Sequence, residues 1–123
     1  MTTTLAVGWA THRGAVRQFN EDHVFVGHRV VAVADGMGGH AAGDVASAVA
    51  VEAMALLDDQ EGDVRPDDVV TALAHANDAI LRAAAEQPQR RGMGTTIAGL
   101  ALVRVGGSPH WAVFNIGDSR VYR

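Results

Sequence analysis

The segment RVVAVADGMGGHAAGDVASAVA, residues 29–50, decides the fold of this chain. Residues 30–34 form an apolar, largely β-branched run, which is typical of a strand covered on both faces. From residue 41 the apolar positions change to helical spacing. Between the two, Asp35 is followed by a glycine-rich stretch, residues 36–39. The segment therefore predicts a strand, a tight turn that begins with a carboxylate, and a helix.

A second β-branched run, residues 24–26, precedes this strand, and the pair Gly-His at residues 27–28 separates the two. This arrangement predicts a hairpin whose turn is centred on residues 27–28. Residues equidistant from a turn oppose each other, so residue 22 is expected beside residue 34 or 35, with a bulge absorbing the small mismatch. The outer ends of the hairpin then meet at one end of a sheet.

Two helices are predicted beyond the glycine-rich turn. A polar connector, residues 58–63, separates them. Pro66 suits the first turn of the second helix, which ends before Pro88. The first helix is expected to bury a stripe of apolar residues at helical spacing: Val45, Val49, Ala53 and Leu56.

Strand patterns return in the last third of the chain. Strands are predicted at residues 95–105 and 110–116, the beginning of another at residues 121–123, and a looser one at residues 5–10. A domain rarely ends inside a short apolar strand, so the chain is expected to be part of something longer. The exposed terminal strand invites pairing with another chain, including a second copy of this one.

Composition excludes several classes of function. The 123 residues are 48% hydrophobic and 20% charged with a net charge of −4, which indicates a globular domain and argues against binding of nucleic acid. The chain has no cysteine, which excludes disulfides, thiolate-bound metals and cysteine nucleophiles. No apolar run approaches the roughly 20 residues that cross a bilayer, and no signal peptide is visible. We therefore expect a cytoplasmic protein without a membrane segment.

Acidic residues stand at the ends of the predicted strands. Glu21 and Asp22 precede the hairpin, Asp35 ends it, and Asp118 lies in the turn after a later strand. Carboxylates gathered at one place repel each other unless a cation joins them, and an all-oxygen set favours Mg²⁺ or Mn²⁺. Carboxylates at strand ends also commonly cap turns or face water, and Asp118 can accept hydrogen bonds from its own turn.

Arg17 stands four residues before Glu21, near the same end of the sheet if the connection is short. A guanidinium beside a carboxylate-bound metal suits a phosphate, because its fork matches two phosphate oxygens. An ordinary surface arginine is the alternative interpretation of Arg17.

The glycine-rich turn also fits a dinucleotide-binding fingerprint, with glycines at 36 and 38 and an alanine at 41. A pyrophosphate there would lie beside the negative charge of Asp35, which argues against that function. A nucleoside triphosphate loop fails because Gly43 is followed by Asp44 and Val45 instead of Lys and Ser or Thr. Metal binding at Asp35, with the backbone carbonyl of Gly36 approaching the ion, fits better. Plain turn geometry remains an alternative for the glycines.

Four motifs follow one another along the chain: RQFNED at residues 17–22, DGMGGH at 35–40, GMGTT at 92–96 and NIGDSR at 115–120. In this order they resemble the signatures of the bacterial PP2C (PPM) protein phosphatases, and the similarity extends from residue 8 to residue 123. The resemblance implies an α+β fold, part of a four-layer α-β-β-α sandwich of antiparallel sheets with two helices packed on one face. It also implies a binuclear Mn²⁺ or Mg²⁺ centre between the sheets.

The activity implied by the resemblance is hydrolysis of phosphoserine and phosphothreonine in proteins by a metal-activated water, without a phosphoenzyme. Its partners would be phosphorylated proteins made by a cognate Ser/Thr kinase pathway. Carried over by motif, Asp35 resembles the carboxylate that bridges two metals. Gly36 resembles the residue that gives a backbone carbonyl to the second metal, and Glu21 resembles another ligand of that metal. Asp22 resembles a carboxylate that binds metal-held water, Arg17 the phosphate-binding arginine, and Asp118 a contributor to a third metal site.

Two departures from the family pattern stand out. Met37 occupies a position where some relatives carry a histidine that could protonate the leaving group. The family domain also continues beyond the fourth motif, and its later aspartates complete the first metal site. The resemblance therefore implies that residues 1–123 are the N-terminal portion of a single phosphatase domain whose C-terminal half is absent. We therefore expect little or no activity from these 123 residues alone. The alternative is a non-catalytic, truncated module that binds a partner chain or a phosphoprotein.

Overall fold

A computed structural model describes residues 5–15 and 20–123. Its strands form one antiparallel sheet in the order β1-β2-β4-β5, with β3 paired to the end of β2, and its two long helices lie on one face. The predicted α+β class is confirmed. In chain order the elements are β1 (Asp22–Val26), β2 (Val30–Met37), α1 (Ala42–Asp58), α2 (Pro66–Glu86), a 3-10 turn (Pro88–Arg90), β3 (Gly94–Thr95), β4 (Ile97–Val105) and β5 (Ser108–Ile116).

The predicted hairpin forms between β1 and β2, with its turn one residue later than expected. The register pairs Val26 with Val31 and Asp22 with Asp35, and the N–H of Gly27 donates to the carbonyl of Val30 at 2.8 Å. The turn is therefore centred on residues 28–29 instead of 27–28. Counted from that centre, residues at equal distances along the two strands pair with each other, so the predicted bulge is unnecessary.

A carboxylate from the end of α1 holds this turn. Asp58 is buried, and its two oxygens accept the backbone N–H groups of His28 at 3.1 Å, Arg29 at 2.7 Å and Val30 at 2.9 Å. Hydrogen bonds to a charged acceptor are stronger than those between neutral groups, so Asp58 favours this turn over its neighbours. The Arg29 guanidinium in turn donates to the backbone carbonyls of Asp58, Gln60 and Gly62.

The two faces of β2 differ. Val30, Ala32 and Ala34 are buried against the helices, whereas Val33 is 45% exposed on the other face. The expectation of a strand covered on both faces is not met by the described residues, because both long helices lie on the same side. Residues 7–9 and 120–122 line a groove on the open face.

Residues 5–10 and 121–123 are irregular, so the strands predicted there are wrong. A strand exists through its ladder of hydrogen bonds, and apolar alternation alone does not provide one. Residues 121–123 are exposed, as expected, but the terminal strand that would pair with a second copy is not formed. The predicted strand at residues 95–105 is also divided, with Thr96 between β3 and β4.

Helix α1 buries a different stripe from the predicted one. Its buried residues include Ala46, Ala50, Met54 and Leu57, whereas Leu56 is 71% exposed. The small side chains of Ala46 and Ala50 let the helix approach the sheet closely. The predicted residues Val45, Val49 and Ala53 lie at the flanks of the buried stripe and are half-buried.

Helix α2 begins at Pro66 and ends before Pro88, as predicted. Its buried residues are Val69 and Ala76, and Val69 joins the main core together with β4 residues such as Val103. Within residues 5–15 and 20–123, no helix combines the length and the apolar character required to cross a membrane.

Candidate metal and phosphate site

Two carboxylates face each other where β1 begins and β2 ends. Asp22 and Asp35 are register partners. The hydrogen-bonded pairs of this hairpin include Gly27 with Val30 and Glu21 with Gly36, and such pairs alternate with non-bonded ones. Asp22 and Asp35 are therefore a non-bonded pair, the kind whose side chains come closest, with Cβ atoms roughly 4.5–5.5 Å apart. Both lie on the face of the sheet opposite α1.

Glu21 lies at the same end but reaches the other side of the sheet. Its carbonyl accepts the N–H of Gly36 at 3.2 Å, which extends the ladder beyond β1. Its carboxylate contacts Gly43 in the first turn of α1. Successive residues alternate between the faces of a strand, so Glu21 points toward the helix and Asp22 away from it. The structure thus brings the three acidic residues to one end of the sheet without placing them on one face.

Two glycines allow α1 to meet this end of the sheet. A Cβ on Gly36 would strike the carbonyl oxygen of Gly43, and a Cβ on Gly43 would strike the carboxylate of Glu21. Strand β2 and helix α1 therefore touch backbone to backbone. Sequence reasoning considered Gly36 as a carbonyl ligand and missed this packing role, although the spacing of glycines across a strand–helix junction was a signal for it.

The loop that carries Asp118 is tied to the same end of the sheet through Thr96. Thr96 Oγ1 accepts the N–H of Asp35 at 3.2 Å, and the N–H of Thr96 donates to the carbonyl of Asp35 at 2.9 Å. The same hydroxyl lies 2.6 Å from Oγ of Ser119. Asp118 itself is exposed. Sequence reasoning assigned no role to Thr96, whose only signal was its place in the third motif.

The chemistry of these donors suits a hard divalent cation. Asp22, Asp35, Glu21 and Asp118 offer carboxylate oxygens, and Gly36 offers a backbone carbonyl; oxygen donors are those that Mg²⁺ and Mn²⁺ prefer. In the part of the chain that the structure describes, no three Asp, Glu or His side chains are grouped closely enough to hold a metal ion by themselves. By themselves the described residues could therefore supply no more than part of a ligand shell. Arg17, the predicted phosphate-binding residue, lies outside the described residues.

Comparisons with known proteins identify the family to which the sequence is similar. The family described as "Protein phosphatase 2C" matches residues 9–123. The serine/threonine protein phosphatase PstP of Mycobacterium tuberculosis is 41% identical over 99% of this chain and 23% of its own length. The serine/threonine phosphatase Stp of Listeria welshimeri is 35% identical over 91% of this chain and 47% of its own length.

Solved structures give the same result. The catalytic domain of PstP in complex with two manganese ions matches with a TM-score of 0.80 and 40% identity, over 90% of this chain and 47% of that one. The phosphatase MsPP of Mycobacterium smegmatis in complex with cacodylate matches with a TM-score of 0.78 and 30% identity, over 96% and 48%. This chain thus spans about a quarter of the length of PstP and about half of the Listeria phosphatase and the solved chains.

Proposed function

Because this chain belongs to the protein phosphatase 2C family, we propose that it forms part of a metal-dependent phosphatase that hydrolyses phosphoserine and phosphothreonine in proteins. The observation that carries the proposal is the register pairing of Asp22 with Asp35 at the end of the hairpin. Two carboxylates held opposite each other are unfavourable in isolation and favourable around a cation. The substrates would be phosphoproteins made by Ser/Thr kinases.

In this proposal Asp35 is the central metal ligand, Asp22 opposite it binds metal-held water, and Glu21, the Gly36 carbonyl and Asp118 add further donors. The relative solved with two manganese ions supports Mn²⁺ as the ion. When bound, divalent cations acidify water and neutralise charge on a phosphoryl group. Arg17 would bind the phosphoryl oxygens through its guanidinium fork. Thr96 holds the backbone of Asp35 by two hydrogen bonds and so fixes the direction of that carboxylate.

We further infer that residues 1–123 are the N-terminal portion of the phosphatase domain and that this portion alone has little or no activity. Coverage of 47–48% of the solved relatives supports the first inference. The incomplete group of ligands among the described residues supports the second. The open apolar face of the sheet, where Val33 and Val113 are exposed, favours one alternative: a non-catalytic module that binds a partner chain or a phosphoprotein.

The test is Mn²⁺-dependent hydrolysis of a phosphothreonine peptide by the full-length protein. The Asp35→Asn variant is expected to lower kcat/KM by at least about 100-fold, because it removes a charge that the cation and the transition state require. Asp78→Asn, at an exposed position on α2, is the matched control and should retain wild-type activity. Full activity in Asp35→Asn would exclude the proposed site. The absence of any Mn²⁺-dependent hydrolysis by the full-length protein would favour the binding module.

A further inference from the structure

A buried hydroxyl joins three elements behind the paired carboxylates. Ser47 of α1 is fully buried, and its Oγ lies 2.5 Å from the carbonyl oxygen of Glu21 and 2.9 Å from that of Gly43. The same Glu21 carbonyl accepts the N–H of Gly36 at 3.2 Å. One carbonyl group therefore connects the start of β1, the end of β2 and the first turns of α1. His23 completes this group, and we call Glu21, His23, Gly36 and Ser47 the Ser47 junction.

The hydrogen-bonding groups of the junction are one hydroxyl, two carbonyl oxygens and an imidazole ring. A serine hydroxyl has one hydrogen, and a carbonyl oxygen has none. Toward the carbonyls of Glu21 and Gly43 the hydroxyl can therefore act only as the donor. His23 Nδ1 lies 2.8 Å from Ser47 Oγ, in a hydrogen bond whose direction depends on the tautomer of the ring. The other ring nitrogen, Nε2, faces Asp44 at 3.6 Å from Oδ1.

The junction fixes the backbone on both sides of the carboxylate pair. Glu21 and His23 flank Asp22 in the first strand, and Gly36 follows Asp35 in the second. His23 pairs with Ala34 on the helix side of the sheet, whereas Asp22 and Asp35 lie on the opposite side. The junction thus holds the two strands together on the helix side of the sheet, and the carboxylates project from the opposite side of the sheet.

We propose that Ser47 and His23 are positioning residues that set the separation of the Asp22 and Asp35 carboxylates and thereby the affinity of the site for a divalent cation. This inference rests on the proposed function. Neither residue would contact the cation or the substrate. Groups that orient metal ligands from behind typically change metal affinity by about 10- to 100-fold when they are removed.

The first experiment measures Mn²⁺ binding to the full-length protein by isothermal titration calorimetry. Ser47→Ala is expected to weaken Mn²⁺ affinity about 10- to 100-fold. At saturating Mn²⁺ its kcat should remain within about threefold of wild type, because the ligands themselves are intact. Ala50→Gly is the matched control. It loosens the same buried face of α1, lowers the Tm, and leaves Mn²⁺ affinity at the wild-type value because it does not touch the junction.

The second experiment tests His23 with two variants of similar size. In His23→Asn the side-chain amide can take the place of Nδ1 and hydrogen-bond to Ser47 Oγ as donor or acceptor, whereas His23→Leu can do neither. Mn²⁺ affinity is therefore expected to stay within about threefold of wild type in His23→Asn and to fall about 10-fold or more in His23→Leu.

The outcomes separate this inference from the proposed function. Wild-type Mn²⁺ affinity in Ser47→Ala, or equal affinities in the two His23 variants, would overturn the positioning role while leaving the metal site intact. If the wild-type protein binds no Mn²⁺, or Asp35→Asn binds it as well as wild type, the proposed function fails and this inference with it.

Discussion

The two ends of the β1–β2 hairpin use carboxylates in opposite ways. At the turn end, the single carboxylate of Asp58 accepts three backbone N–H groups and is buried. At the other end, Asp22 and Asp35 are set directly opposite each other across the strands. Like charges in opposed positions destabilise a sheet, whereas a carboxylate that accepts several N–H groups stabilises its turn. The comparison sets a carboxylate that maintains the fold against a carboxylate pair that is proposed to bind a cation.

The largest difference in stability is expected between two single variants that carry the same Asp-to-Asn substitution, one at each end of the hairpin. Asp58→Asn removes the charge and turns an N–H₂ group toward backbone donors, so the free energy of unfolding should fall by about 2–3 kcal/mol. Asp35→Asn, in the metal-free protein, should change it by less than about 1 kcal/mol, because it relieves repulsion from Asp22. Urea denaturation of the two variants measures the difference, and equal losses would show that the two ends do not differ in this way.

The turn end also shows where sequence reasoning reached its limit. Apolar periodicity and turn residues predicted the hairpin and both helices, because those signals are local. They missed the centre of the turn by one residue, since the group that selects residues 28–29 is Asp58, 30 residues from His28 along the chain. No local pattern reports such a contact.

At the site end, too, the features set by local patterns were predicted and those set by contacts between distant residues were missed. Counting outward from the turn placed residue 22 beside residue 34 or 35 with the help of a bulge, and the observed partner is Asp35, which the regular register reaches without one. The roles of Ser47 and Gly43 depend on which side of α1 meets the sheet. That side was predicted wrongly, because alanines such as Ala46 and Ala50 give a weaker apolar signal than Leu56, which is exposed. Sequence therefore located the acidic residues and missed the helix residues behind them.

A smaller difference in stability is expected between two single Gly-to-Ala variants, one at the turn and one in the loop that follows β2. A Cβ on Gly27 would strike the carboxyl group of Asp58, whereas a Cβ on Gly39 would meet nothing within 4 Å. Gly27→Ala should therefore lower the free energy of unfolding by about 1–2 kcal/mol, which is the usual result of overpacking. Gly39→Ala should leave it within about 0.5 kcal/mol of wild type or raise it slightly. Thermal unfolding followed by circular dichroism distinguishes the two, and a destabilised Gly39→Ala would mean that the loop after β2 is not open at Gly39.

The smallest effect concerns Asp68, a half-buried carboxylate near the turn end. The side-chain amide of Gln60 and then the backbone N–H of Arg65 donate to it and lower its pKa below the ordinary value of 3.8. A group whose pKa is lower in the folded state stabilises the protein above its unfolded pKa and loses that contribution as pH falls through the folded one. Asp68→Asn should thus have a slightly lower Tm than wild type at pH 7, and the gap should close below about pH 3.8. Tm measured from pH 7 down to pH 3 checks this, and a gap that widened toward acid would mean that Asp68 is not stabilised by these donors.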